Sequence, residues 1–317
     1  MTTMKQFIFE ESRPFASCHA STLVSLDDGS VLAAWFGGTD EGDPDVDIWC
    51  SRRTDGQWSA PHRIAGEPGI PHWNPVLFQG NNGILYLYYK VGHTIPGWYT
   101  RVLESRDGGS TWGQPAELVA GDVGGRGPVR NKPIITKDGT WLAPASLESE
   151  VWDACVDISR DQGQSWTMSE LVPIRHETLR GKGVIQPTLW ESESGRIHML
   201  LRSTEGSIYR SESDDTGATW CEAYPTGLPN NNSGIDLVKR DEGKLALVHN
   251  PVSEGSLRTP LVVSLSDDNG TTWREWFVLE SEPGEYSYPA IIRNGDKLLI
   301  TYTWKRERIV FWEIDCE

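Results

Sequence analysis

An eight-residue phrase recurs along this chain at a fixed interval, and that interval limits what the chain can fold into. "SRDGGSTW" begins at Ser105, "SRDQGQSW" at Ser159, "SDDTGATW" at Ser213 and "SDDNGTTW" at Ser266, so successive copies stand 54, 54 and 53 residues apart. "SRRTDGQW", from Ser51, precedes the first by another 54 and reads as a decayed fifth copy. A period of this size marks a repeat architecture in which each unit buries its faces against its neighbours.

A second series runs in phase with the first. Gly29, Gly83, Gly139, Gly195, Gly243 and Gly295 each lie in a short polar turn between apolar runs, as in "STLVSLDDGSVLAAWF". Asp-Gly and Asn-Gly in that setting signal tight β-hairpins, because glycine accepts positive φ without a steric penalty. Six hairpins at this period predict an all-β chain of six four-stranded units: a six-bladed β-propeller, with 1–317 as one domain. Within each blade the glycine turn joins strand A to strand B, and the octapeptide joins C to D. The last blade has A, B and C near 287–292, 297–303 and 308–313. Residues 5–10, "KQFIFE", are expected to supply its fourth strand and close the ring, which removes open sheet edges.

The fifteen tryptophans suit broad packing between blades. A formal charge of −16 argues against nucleic acid and anionic membranes as partners. The start, "MTTMKQFIFEESRPF", lacks a basic region and an apolar core, and no run is long enough to span a membrane. Five scattered cysteines without a CxxC fit a reduced, cytoplasmic protein. "TDEGDPDVD" reads as a solvated loop rather than a calcium site, and neither metal nor cofactor is expected.

The octapeptide itself reads as scaffold. Its Asp can accept bonds from backbone amides of its own turn, its Gly supplies the permissive backbone, and its Trp packs the turn on its blade. A catalytic group has no need to be copied into every blade.

The pattern S-x-D-x-G-x-T-W at this period resembles the Asp box, or BNR repeat, of the sialidase (neuraminidase) superfamily, over essentially the whole chain. The resemblance implies a sialidase-like propeller. It leaves function open among hydrolases, polysaccharide lyases and non-catalytic proteins.

In a propeller the A–B and C–D turns share one face, so a site belongs on the other, built from B–C loops and the starts of A strands. That face offers His19, Asp43 and Asp45 from blade one, and His72, Asn74, Lys90 and His93 from blade two. Blade three adds Arg130, Lys132 and Glu148; blade four adds Gln186 and Arg202. Blade five adds Asn232, Asp236 and Arg258; blade six adds Tyr286, Tyr288, Lys305 and Arg306. An acidic chain that gathers Arg and Lys at one axial mouth is built to bind an anion, and the planar fork of Arg suits a carboxylate. Arg202, Arg258, Arg130, Lys132, Asn74, Lys90, Gln186 and Tyr288 are the expected substrate-binding set.

The resemblance implies roles for some of them. Arg202 in "HMLLR" and Arg258 in "SLRTP" are similar to two of the three arginines that hold the carboxylate in sialidases. Tyr286 in "EYSYP" resembles the nucleophile, and Asp43 the loop acid. Two positions depart from the family pattern: His19-Ala20-Ser21 stands where sialidases have Arg-Ile-Pro, and Gln186 stands where they have the Glu that assists the tyrosine. These departures make the chain similar to the predicted-neuraminidase branch related to lyases and hydrolases of rhamnose–glucuronate linkages.

Three readings follow. In the leading one the chain is a uronate lyase acting by β-elimination on an oligosaccharide with a carboxylate. Arg202 and Arg258 acidify the C–H beside the carboxylate, and His19 or Tyr286 removes the proton. In the second it is an exo-sialidase or other exo-glycosidase, using Asp43 with Tyr286, or Asp43 with Glu148 as a carboxylate pair. In the third it binds glycans without cleaving them, and Trp98, Trp304 and Tyr288 stack on sugar rings.

Overall fold

The structure, a computed structural model that describes residues 2–316, arranges its strands in six antiparallel sheets; five have four strands in consecutive order along the chain, the sixth takes its fourth strand from near the other terminus, and blade one adds a fifth strand, His62–Ala65. Blade four shows the plan: Val184–Glu191, Ile197–Ser203, Gly206–Ser213 and Tyr224–Asn230 run from the centre outward. The sheets pack face to face around a ring, the six-bladed propeller that the period predicts. Both faces of an inner strand are covered by neighbouring blades, so all eight residues of Val31–Gly38 are buried. This is why the inner strands read as apolar runs rather than as alternating ones.

Blade six is closed from the other end of the chain. Thr3–Phe7 pairs with Arg308–Asp315, from Thr3 opposite Ile314 to Phe7 opposite Val310. The closing strand starts and ends earlier than the expected 5–10. Beyond Phe7 one backbone bond persists, Ile8 N–H to the Ile309 carbonyl at 2.9 Å. Ile8 and Phe9 then turn inward to pack with Phe15 and Trp35.

The octapeptides form the C–D turns and behave as scaffold. In the first copy Ser105 Oγ donates to Asp107 Oδ1 (2.8 Å) and accepts from Gly109 N–H (2.7 Å). Thr111 donates its amide and its hydroxyl to the two oxygens of Asp107, at 2.8 and 2.6 Å. The same set recurs around Asp161, Asp215 and Asp268. These donors pull all four carboxyls down from 3.8 to about 2.

What positions a site is a feature on the opposite face. Four inner strands break register near their start, between His19 and Thr22, Trp73 and Val76, Ile185 and Thr188, and Ser287 and Ala290. In each break one non-glycine residue sits at positive φ: Ala20 (56°), Asn74 (40°), Gln186 (52°) and Tyr288 (49°). A bulge lifts its extra residue out of the ladder and re-aims its side chain. Three of the four residues precede a proline, which has no N–H to lose to the break. Left-handed backbone at a non-glycine residue costs on the order of 1–2 kcal/mol, so four in one ring mark a place where side-chain direction matters.

Blade three departs from the plan. Its inner strand is only Ile134–Ile135, and the segment before it, "VRNK", runs into the middle of the ring. No helix among the described residues is long and apolar enough to cross a membrane.

Candidate functional site

Tyr288 stands at the centre of the bulge ring. Its ring packs edge-on against the His19 imidazole, with centroids 4.3 Å apart. The guanidinium carbons of Arg130, Arg202 and Arg258 lie 5.1, 5.8 and 5.6 Å from its centroid. Gly234 abuts the same ring so closely that a Cβ there would meet Tyr288 Cδ1 at 2.9 Å. Residues of blades one, three, four and five thus touch one side chain of blade six, which places Tyr288 on the propeller axis.

Arg202 organises one side of the site. Its Nη1 donates to Tyr288 Oη at 2.9 Å and to Gln186 Oε1 at 3.0 Å, and its Nε donates to Asn232 Oδ1 at 2.7 Å. Among the described residues Nη2 has no protein partner, so one face of the fork is left for a ligand. Its plane also borders the Trp152 ring, at 5.9 Å. Behind Gln186 sits Glu148, buried at 7% exposure, which accepts from Ser146 Oγ at 2.9 Å and faces Gln186 Nε2 at 3.5 Å. Burial raises this carboxyl, with Arg202 opposing.

Arg258 forms the other side. Nη1 donates to Glu285 Oε1 at 3.1 Å, and its remaining N–H groups have no partner among the described residues. Glu285 also accepts from Arg306 Nε (3.2 Å) and Ser287 Oγ (2.9 Å). Burial works against ionising Glu285, but Arg306 and Arg258 outweigh it and hold the carboxyl below its ordinary range. Arg306 pairs in turn with Glu41 of the acidic loop. That loop is braced internally: Asp45 accepts from the amide and the hydroxyl of Thr39. Asp43, half-buried on the same loop, has no side-chain hydrogen bond or ion pair among the described residues.

Several residues anticipated at the mouth lie elsewhere. Tyr286 is 1% exposed and packs with Val248, Leu261 and Tyr302 between blades five and six. It still pairs regularly with Trp304, before the bulge, so its side chain points into the sheet-to-sheet core rather than toward the axis. Tyr288, two residues past that pairing and inside the register break, takes the central place expected of Tyr286. His19 reaches the centre but is fully buried beneath Tyr288 and Phe36, with neither ring nitrogen hydrogen-bonded among the described residues. Burial and then the surrounding arginines hold it well below the ordinary histidine range, so it is a neutral packing group with no path to a ligand.

Arg130 and Lys132 are struts rather than ligand contacts. Fully buried Arg130 reaches across the ring from blade three to the carbonyls of Tyr288 and Pro289. Asn131 donates to the carbonyls of Gln186 and Pro187, both at 3.0 Å. Lys132 binds both oxygens of Asp236, at 2.9 and 2.8 Å, and that buried carboxylate also accepts from Thr188 and from Ile291 N–H. Three successive side chains therefore plug the axis and tie the bulges of blades four and six, with blade five, into one frame. Lys90 is likewise internal. It donates to Thr100 Oγ1 and the Arg126 carbonyl, both at 2.7 Å, and burial pushes it down to about 8. Trp98 is 1% exposed against Trp73 and Val129, so no sugar can stack on it. His72 is buried against the Val46 carbonyl, whereas His93 is exposed. Asn74 holds the blade-two bulge, and Trp304, partly exposed, is sandwiched by Lys305 and Arg308. Glu285 and Trp152 border the arginine pair and were not anticipated from sequence.

A scan of protein families matches residues 29–300 to the BNR repeat-like domain. Comparison with curated protein sequences returned no match. Among solved structures, a Hadza microbial sialidase superposes with a TM-score of 0.81 at 18% identity, over 98% of this chain and 68% of its own. A protein of unknown function from Dyadobacter fermentans gives 0.78 at 16% identity over 99% of both chains. Trypanosoma rangeli sialidase, solved with the inhibitor DANA, gives 0.79 at 16% identity over 98% of this chain, which spans 59% of the trypanosomal one. At these identities the likeness is one of fold.

Proposed function

Because this chain belongs to the BNR repeat-like domain family and has the sialidase propeller fold, we propose that it is a glycan-cleaving enzyme acting on a sugar that carries a carboxylate, and that it cleaves by β-elimination. The carboxylate lies over the Tyr288 ring, between the free N–H groups of Arg202 and Arg258. Paired guanidinium donors neutralise it, so the C–H beside it becomes more acidic. Tyr288 Oη, in its deprotonated form, takes that proton. The C–H electron pair forms a carbon–carbon double bond, and the C–O bond on the next carbon breaks. Tyr288 then returns the proton to the departing oxygen, so the enzyme ends as it began. Arg202 Nη1, bonded to Oη at 2.9 Å, holds that oxygen in place beside the C–H it serves.

The observation that carries this reading is the partner of Tyr288. Its hydroxyl meets a guanidinium, and no carboxylate is hydrogen-bonded to it among the described residues. A tyrosine nucleophile wants a base to take its proton, and Gln186 cannot serve. Hydrolysis is supported by a different observation, the uncommitted carboxylate of Asp43 on a loop tied to the same mouth. The two chemistries leave different products. Incubation with a panel of uronosides, including rhamnose–glucuronate disaccharides, and sialosides is expected to release an unsaturated acid that absorbs in the ultraviolet and weighs one water less than the hydrolytic product. A saturated reducing sugar as sole product would establish hydrolysis, and no turnover of any carboxylated glycan would favour a binding protein.

A further inference from the structure

Arg306 lies outside the arginine pair, yet it joins that pair to the acidic loop. Its carbonyl accepts from Cys18 N–H of blade one at 2.8 Å, next to His19. Lys305 and Arg306 both sit at positive φ, 53° and 57°, in the last B–C turn, which throws the guanidinium toward blade one. There it is held between Glu285 and Glu41. Of the loop's carboxylates, Asp45 serves Thr39, Asp40 accepts from the Glu41 amide, and Glu41 serves Arg306. Asp43 alone is uncommitted among the described residues. On its other side the loop rests on Trp73, against which a Cβ at Gly42 would stand at 3.0 Å.

We infer that Arg306 is a positioning residue that fastens the loop 39–46, and with it Asp43, over the anion pocket, and that Glu285 couples this fastening to occupancy of Arg258. The inference rests on the anion reading of the arginine pair. Without a ligand, Glu285 is shared between Arg258 and Arg306. A ligand carboxylate on the free N–H groups of Arg258 shares that guanidinium's charge with Glu285, so Glu285 leans further on Arg306 and the loop is drawn toward blade six. Binding and loop order are then two ends of one ion-pair chain, Arg258–Glu285–Arg306–Glu41.

Hydrogen exchange on the full chain tests both parts, with free glucuronic acid and free sialic acid as probes. In the unliganded protein, Glu41→Gln and Arg306→Gln are expected to raise exchange across residues 39–46 about tenfold, with Arg306→Lys partly restoring protection. Adding a bound acid is expected to protect 39–46 in the wild type but not in Glu41→Gln, whose Kd for that acid stays within about twofold. On a cleaved substrate, Glu41→Gln should lower kcat with KM little changed. Unchanged exchange in both glutamine variants overturns the fastening. Equal protection on binding in wild type and Glu41→Gln overturns the coupling. If neither acid binds the wild type while the unliganded loop loosens as expected, the anion reading and the coupling fall together, and the fastening by Arg306 stands.

Discussion

Tyr288 Oη accepts a 2.9 Å hydrogen bond from Arg202 Nη1, a tyrosine of blade six held by an arginine of blade four across the propeller axis. Tyr286, two residues earlier, is sealed between blades five and six. The pair makes a sharp contrast for mutagenesis. Tyr288→Phe removes the group that moves the proton and should lower kcat by about 10²–10⁴-fold, the usual span for a positioned acid–base group. Tyr286→Phe should leave kcat within a few-fold and change stability by less than about 1 kcal/mol, since its hydroxyl has no partner to lose among the described residues. Steady-state turnover with a common substrate checks both. A larger loss from Tyr286→Phe would reverse the assignment.

Gln186 separates the two chemistries. Its Oε1 accepts from Arg202, and its Nε2 faces Glu148 at 3.5 Å. In Gln186→Glu a second carboxylate stands beside Glu148 and occupies Arg202, so less positive charge remains for the ligand. Affinity for a carboxylated sugar should fall about tenfold, roughly 1.4 kcal/mol, and elimination should fall with it. If hydrolytic product already made by the wild type rises instead, the tyrosine was short of a base, and hydrolysis is the native chemistry.

The fold was legible because the repeat is written in residues with local duties. The Ser, Asp and Gly of each octapeptide bond within their own turn, and each hairpin glycine takes the positive φ its turn requires. Arg202, Arg258 and Gln186 were legible on this face as well, because the repeat assigns to it the start of each A strand, the end of each B strand and the B–C loop, where these three lie. Tyr286 and Tyr288 were not separable by alternation, since residues two apart share a face in an unbroken strand. The bulge that contains Tyr288 removes that equivalence. A signal for it exists: Tyr288-Pro289 falls where blade four has Gln186-Pro187 and blade two has Asn74-Pro75. Arg130 and Lys132 misled for the opposite reason. Their segment leaves the blade plan and enters the axis, and only the closed ring shows that their charges face Asp236 and backbone carbonyls rather than solvent.

Arg130 should therefore matter to stability and to the site together. It is buried, its charge is opposed by burial to the extent of a drop to about 10, and it satisfies carbonyls of the Tyr288 bulge. Arg130→Met keeps most of the volume but leaves those carbonyls unpaired. Each buried unsatisfied group costs about 1–3 kcal/mol, so a loss of about 2–4 kcal/mol is expected in urea unfolding. Turnover should fall even well below the unfolding transition, because the Tyr288 backbone loses its brace. Wild-type stability would show that water or neighbouring groups already serve those carbonyls, and the axial frame would lose its claimed role.

The octapeptides give the chain a defined acid limit. In the folded protein Asp107, Asp161, Asp215 and Asp268 are each drawn from 3.8 to about 2 by Thr or Ser donors and backbone amides of their turns. A group whose folded value is depressed binds its proton more readily when unfolded, so acid favours unfolding. The stability these turns supply is complete above about pH 4, falls progressively below it, and is gone once the pH has passed through about 2. The carboxylates are exposed, which limits what any one turn contributes, but four in phase should give a visible slope. Urea midpoints measured from pH 5 to pH 2 should drop steadily through that window. Asp161→Asn should lower the midpoint at pH 5 and flatten the slope, because its turn no longer has a proton to take up. If the variant and the wild type descend in parallel, the acid sensitivity comes from carboxylates outside the octapeptides.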